Sequence, residues 1–194
     1  MAAGKADYLS KLRWFERRQF SEKWAKRNQL LLQLLTVAGL EHQHLSFSEY
    51  GCGPQQPFRK ALSETGFSGQ VNCLDMNQWQ DDVIQIDLES ADFDQVSQTD
   101  VGVLSGVLEY LHDPHQIIAN LASRHQFLLV SYRVFEYQPH GAIDKYTAEL
   151  NARAANGWKT HLILPDLLDV VDKFGVILAA DSWRNQCLFL LKRH

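Results

Sequence analysis

Apolar positions along the chain follow two different periods. Between residues 8 and about 38, Leu9, Leu12, Phe15, Phe20 and Trp24 recur near a helical spacing with charges between them, the pattern of amphipathic helix. Ser21-Glu22 allows one helix to end and another to open there, and Gly39 is a stop signal. Beyond residue 40 short apolar runs alternate with helical stretches. Strands are predicted at residues 45–50, 71–74, 83–86, 101–104 and 127–132, and helices at 56–65 and 115–123. The run at 101–104 is apolar apart from Gly102, and 127–132 is strongly apolar, as suits strands covered on both faces. A helix at 165–174 has proline near its first turn and Gly175 past its end. Strands at 176–180 and 187–191 close the chain, joined by a turn at 181–185.

This alternation predicts an α/β fold. It is a doubly wound, seven-stranded, mostly parallel sheet with helices on both faces and an antiparallel last strand. Residues 1–40 read as a helical N-terminal extension and 41–194 as the main domain. The polar, aromatic stretch at 134–158, with a helix at 144–155, reads as a lid inserted after the fifth strand. No internal repeat or low-complexity stretch interrupts this plan.

Composition adds little until charge is resolved along the chain. The 194 residues suit one α/β domain with ordinary hydrophobic and charged content. Cys52, Cys73 and Cys187 form no CxxC pair and no zinc spacing, so three free thiols in a reducing compartment and no metal are expected. The first residues lack the apolar core of a signal peptide, and the leucine-rich run at 30–35 is too short to span a bilayer. A cytoplasmic protein that does not enter membranes is the expectation. Up to residue 30, eight basic residues face three acidic ones, a +5 segment set against a −9 remainder in a chain of net charge −4. A basic arm on an acidic body can draw in an anionic small molecule. An acidic chain without a recognition motif argues against nucleic acid. The oligomeric state is left open.

Four motifs carry chemistry. Glu49-Tyr50-Gly51-Cys52-Gly53 lies between a strand and a helix. Its glycines allow a tight turn and close backbone approach to a ligand, and the helix presents free N–H groups to it. Asp75 ends the next strand about 24 positions after Gly51, near the roughly 20-residue offset at which an acid meets a ribose in dinucleotide folds. In Gln85-Ile86-Asp87-Leu88-Glu89, Asp87 can accept from an adenine amino group while Leu88 covers the ring. Finally, a buried strand runs into Ser105-Gly106-Val107-Leu108-Glu109-Tyr110-Leu111-His112-Asp113-Pro114. It places Ser105 and Gly106 where ligands bind in doubly wound sheets.

In order and spacing these four motifs resemble the motif series of class I S-adenosylmethionine-dependent methyltransferases, over roughly residues 45–192. The resemblance implies that Glu49, Gly51 and Gly53 line the methionine part of the cofactor and that Asp75 bonds the ribose hydroxyls. It also implies that Asp87 and Leu88 contact adenine, and that Leu104 and Ser105 border the sulfonium. One departure stands out: the family often continues the turn as GxGxG, and here Pro54-Gln55 follows Gly53.

Methyl transfer needs alignment and dryness above all. A general base is needed only where the acceptor must lose a proton, and His112 and His161 are the candidates. Tyr110, Tyr132 and Trp158 are candidate walls of an acceptor pocket, and Arg133 is a candidate for an anionic acceptor. The acceptor is expected to be a small molecule. Two rival readings remain. One is a non-catalytic chain of the same fold acting as a binding or regulatory partner. The other is a nucleotide-dependent oxidoreductase, disfavoured because Gln56 stands where GxGxxG requires its third glycine.

Overall fold

The computed structural model describes residues 21–90, 93, 96–135 and 143–194. Helix α1 (Glu22–Val37) leads into strand β1 (Phe47–Tyr50), helix α2 (Pro57–Ser63), β2 (Val71–Asp75), β3 (Val83–Gln85) and β4 (Val101–Ser105). Helix α3 (Pro114–Ala122), β5 (Phe127–Arg133), α4 (Ile143–Ala155) and α5 (Leu164–Asp172) follow, and β6 (Gly175–Trp183) and β7 (Gln186–Arg193) close the chain. The break expected at Ser21 is the N-cap of α1. The helical pattern before it, with Lys5, Lys11, Arg13, Arg17 and Arg18, lies outside the described residues, as does 136–142 of the expected lid.

The seven strands form one sheet in the order β3-β2-β1-β4-β5-β7-β6. β1 pairs in parallel with both β2 and β4, and β7 runs antiparallel between β5 and β6. The sheet is thus mostly parallel with one reversed strand, as the alternation predicted. The strand order reverses between β1 and β4, so the crevice beyond their carboxyl ends is the place for a ligand.

Side-chain alternation sorts the core onto two faces. Leu31 and Leu35 of α1 pack with Phe58 and Leu62 of α2 over Phe47, Val103 and Leu190. The opposite face joins Tyr50, Leu104 and Val130 to Ile118 of α3 and Val170 of α5. At one end of the second face a buried histidine ties the strands together. The rings of His125 and Tyr50 meet through Nε2 and the hydroxyl at 2.8 Å, and His125 Nδ1 lies 3.0 Å from the Thr99 carbonyl oxygen.

The largest difference from the sequence expectation is at the closing hairpin. β6 and β7 pair out to Trp183 and Gln186, leaving a two-residue turn rather than the loop at 181–185. Arg184 takes φ 58° there, the left-handed backbone that tight hairpin turns require at a central position. Among the described residues, no helix is long and apolar enough to cross a membrane, and no group of three or more His, Cys, Asp or Glu could hold a metal ion.

Candidate functional site

The glycine turn emerges from the carboxyl end of β1. Gly51 and Gly53 both take φ 62°, which glycine adopts without strain. A Cβ at Gly51 would lie 2.7 Å from Val107 Cγ2, whereas one at Gly53 would meet nothing within 4 Å. The turn is therefore packed on one side and open on the other. Gln56, the N-cap of α2, takes φ 44° and ψ 58°, a conformation costing a non-glycine residue about 1–2 kcal/mol. Its Oε1 accepts from Arg59 Nη1 at 2.9 Å. The turn thus keeps a glycine-like backbone where the sequence has none.

Glu49 is buried and points at α2. Its two carboxylate oxygens accept from the backbone N–H groups of Phe58 and Arg59, each at 3.0 Å, two donors that the helix itself cannot satisfy. Burial pushes its pKa up to about 7, against these bonds and the pull of Arg59 and Arg27. In this arrangement both oxygens of Glu49 are engaged with α2, and the side chain braces the glycine turn.

Asp75, buried at the end of β2, is locked to the same turn. Its Oδ2 accepts from Gly53 N at 2.9 Å and its Oδ1 from Asn77 N at 3.0 Å. Burial raises its pKa, and the bonds to Asn77 and Gly53 hold it back. The acid at the second strand and the glycine turn therefore form one unit. Asp87 is exposed and accepts from Glu89 N at 3.0 Å, while Leu88 is buried in the core beside Leu74 and Leu104. Asp87 also borders a cavity of about 340 Å³ against Ser48, Asn72 and Ile84, on the side of the sheet away from α1.

The end of β4 holds two groups to which the motif reading assigned no role. Leu104 is fully buried. Ser105 meets Arg27 of α1: Arg27 Nε donates to Ser105 Oγ at 2.9 Å and Nη2 to Ser105 O at 2.8 Å. A Cβ at Gly106 would lie 2.4 Å from Arg27 Nη1, so the guanidinium rests on that glycine. Burial lowers the pKa of Arg27, opposed by Glu109, Tyr110 and Glu49. Glu109 is itself buried, with Oε1 accepting from Arg133 N at 3.0 Å and Oε2 without a hydrogen-bond partner among the described residues. Burial raises its pKa against the attraction of Arg27 and Arg153. The ends of β1, β4 and β5 thus gather charges of both signs, with Glu49 and Glu109 buried and Arg27 and Arg133 half-buried. One signal was present in the sequence: Arg27 falls on the same helical stripe as Trp24, Leu31 and Leu35, where a solvated charge does not belong.

The two histidine candidates stand in different surroundings. His112 is exposed, with Nδ1 2.7 Å from Glu89 Oε1, and Glu89 also pairs with Lys159 at 2.7 Å. His161 is half-buried, its Nδ1 has no hydrogen-bond partner among the described residues, and its ring lies 6.4 Å from that of Phe135. Burial, and then Arg153, push its pKa down. Arg153 of α4 is buried. It donates to Glu149 Oε1 at 2.7 Å and to Val134 O at 2.9 Å, and lies over the rings of Phe135 and Trp158. It fastens α4 to the end of β5. Trp158 meets Tyr110 edge to face at 6.3 Å. Tyr132 is core, its hydroxyl accepting from Leu162 N at 2.8 Å.

No family model matches the chain, and no curated protein matches it in sequence. Solved structures do match in shape. One is the 1,6-didemethyltoxoflavin-N1-methyltransferase of Burkholderia thailandensis with bound 1,6-didemethyltoxoflavin and S-adenosylhomocysteine. It is similar with a TM-score of 0.65 and 12% identity over 99% of this chain and 88% of that one. The N-terminal domain of EvdMO1 with SAH bound gives a TM-score of 0.59 and 12% identity, covering 90% and 82%. An O-methyltransferase family protein from Burkholderia thailandensis gives 0.60 and 15%, covering 84% of this chain and 56% of that one. The chain spans little more than half of that third protein. At these identities the likeness establishes the fold, which is the Rossmann-like fold of class I methyltransferases.

Proposed function

We propose that this chain is an S-adenosylmethionine-dependent methyltransferase acting on a small, anionic acceptor. The observation that carries the reading is the unit formed by Gly51, Gly53 and Asp75 at the point where the strand order reverses. Its backbone conformation requires glycine, its acid is held at the ribose-binding offset, and the space in front of Gly53 is open.

The residues present fit the cofactor in three parts. Asp75, at the end of β2, would accept from ribose hydroxyls. Asp87 would meet the adenine by its carboxylate and Leu88 by its backbone, its side chain being buried in the core. Gly51, Gly53, Leu104 and Ser105 would border the methionine portion. Arg27 rests on Ser105 and Gly106 and would meet the carboxylate there, which suits a guanidinium. When bound, the cofactor supplies a methyl group made electrophilic by its sulfonium.

What the chain itself must do is orient an acceptor and exclude water, which can contribute roughly 7–11 kcal/mol to lowering a barrier. For an acceptor that must lose a proton, His161 is the better base of the two histidines. Its lowered pKa leaves the ring neutral near pH 7, and its Nδ1 is not already engaged. His112 is held by Glu89. A positioned base typically adds a factor of about 10²–10⁴.

A second reading is a non-catalytic chain of the same fold serving as a binding or regulatory partner. The contact of Arg27 with Ser105 and Gly106 favours it, since that side chain sits where the methionine end would lie. Calorimetric titration with S-adenosylmethionine and with S-adenosylhomocysteine, on wild type and Asp75→Ala, separates the two. Micromolar binding that the substitution weakens tenfold or more supports the enzyme. Absence of binding by either ligand removes it and leaves the partner reading.

A further inference from the structure

A second cavity, of about 260 Å³, lies on the α1 side of the sheet. It is lined by Lys23, Trp24 and Arg27 of α1, by Arg133 at the end of β5, and by residues 183–186 of the β6–β7 hairpin. Four of its eight lining residues, Lys23, Arg27, Arg133 and Arg184, are basic and none is acidic. Like charges drawn around one hollow repel unless something of opposite sign lies near. Behind the wall Arg27 faces Glu109 and Glu49, and Arg133 lies 3.6 Å from Glu149. None of those carboxylates lines the hollow itself.

Two further observations point to a ligand. Arg133 Nε and Gln186 Oε1 are buried polar atoms without a hydrogen-bond partner among the described residues, and both residues line the cavity. Leaving such atoms unpaired in the interior is costly. The turn also carries arginine rather than glycine or asparagine at a φ of 58°, a strained conformation for a side chain with a Cβ. Arg184 is held there with its guanidinium 4.8 Å from the ring of Trp183. Strain kept at a cavity rim is a pointer to function.

The geometry points to an oxyanion subsite: this cavity takes the carboxylate or phosphate group of a small acceptor whose flat body lies against Trp24 and Trp183. The volume is below the roughly 300–1,000 Å³ of sites for drug-sized ligands, so it suits one end of a small molecule. Arg27 belongs both to this wall and to the Ser105–Gly106 rim. An anion held here is therefore one side chain away from the cofactor crevice. The assignment to an acceptor rests on the methyltransferase reading above; the anion site rests on the cavity alone.

The test is titration with benzoate and, separately, with inorganic phosphate at constant ionic strength, followed by amide chemical shifts. Wild type is compared with Lys23→Glu, Arg184→Glu and Arg184→Gly, the last of which suits the turn and removes only the cation. Lys26→Glu, on the same helix but outside the cavity lining, controls for net charge. The expected result is saturable binding of at least one probe, weakened about tenfold by the Lys23 and Arg184 substitutions and within twofold of wild type in Lys26→Glu. Preference for benzoate marks a carboxylate acceptor, and preference for phosphate a phosphate ester. Equal weakening by Lys26→Glu, or no saturable binding of either probe, overturns the subsite. S-adenosylhomocysteine is titrated into the same samples. If it binds and neither anion does, the subsite fails while the methyltransferase reading stands. If the anions bind and it does not, the methyltransferase reading fails and the assignment to an acceptor falls with it.

Discussion

Arg27 and Ser105 stand 78 positions apart in sequence and are joined twice, from the guanidinium to the Ser105 hydroxyl at 2.9 Å and to its carbonyl oxygen at 2.8 Å. The pair ties α1 to the carboxyl end of β4 and sets a cation within the field of the buried carboxylates Glu49 and Glu109. Arg27→Ala should lower stability by roughly 2–3 kcal/mol, because it removes charge-assisted bonds and leaves the acids less compensated. Arg27→Lys should recover only part of this, since an ammonium does not reproduce the two-pronged contact. Urea denaturation of the three proteins measures both effects.

The two glycines of the turn should respond differently to the same substitution. Gly51→Ala adds backbone strain at φ 62° and sets a Cβ 2.7 Å from Val107 Cγ2, and should cost about 2 kcal/mol or more. Gly53→Ala meets no neighbour within 4 Å, so only the strain of about 1–2 kcal/mol applies. Its new methyl group would instead enter the open side of the turn. S-adenosylhomocysteine affinity should fall at least tenfold in Gly53→Ala while its melting cooperativity is kept. Unchanged affinity would place the ligand elsewhere.

Arg153 fastens α4 to the end of β5 through Glu149, Val134 O and two aromatic rings. Arg153→Ala should loosen α4 without unfolding the sheet. Hydrogen exchange should accelerate about tenfold or more in Ile143–Ala155 and remain unchanged in β4 and β5, consistent with local opening. Acceleration spread over the whole chain would instead make Arg153 a global support.

Two buried groups give stability opposite pH dependences. Burial pushes His125 from an ordinary 6.5 down to about 4, with Arg124 adding to the shift and the bond to Thr99 opposing it. Between those values the unfolded chain binds a proton that the folded chain does not. His125 therefore contributes stability above pH 6.5 that is lost as pH falls toward 4, up to roughly 3 kcal/mol. Glu49 is raised from 4.5 to about 7, so its contribution is present below pH 4.5 and is lost as pH rises through 7, by a similar amount. Denaturation from pH 4 to 8 should show the gap between wild type and His125→Gln narrowing toward acid. The gap between wild type and Glu49→Gln should move against wild type toward base.

His161→Ala should lower turnover about 10²-fold or more for an acceptor that loses a proton, with little change in S-adenosylhomocysteine affinity. His112→Ala should change turnover by less than threefold, because His112 stands with Glu89 and Lys159 at the surface. A single-turnover comparison on one acceptor decides between them, and the reverse ranking would transfer the role to His112.

Alternation of apolar runs with helical stretches was enough to determine the sheet, its reversed strand and the place of the glycine turn. These depend on local period and on turn residues such as Gly51, Gly53 and Gly175, whose preferences act within a few positions. The offset from Gly51 to Asp75 was equally legible, since one strand, one helix and one loop fix that distance in any βαβ unit. What the chain could not disclose by itself were the partners drawn from distant segments. Glu49 reads as an acid before a glycine turn, and only the fold shows that it also caps the first turn of α2. Arg27 reads as one charge in a basic arm, yet packing of Leu31 and Leu35 carries it onto Ser105 and Gly106. The cavity between α1, Arg133 and Arg184 joins the N-terminal half of the described chain to the β6–β7 hairpin, which β7 sets beside β5. Local period specifies which elements form and which face is apolar; which charges those faces bring together is decided by packing over the whole sheet, where contacts ignore sequence distance.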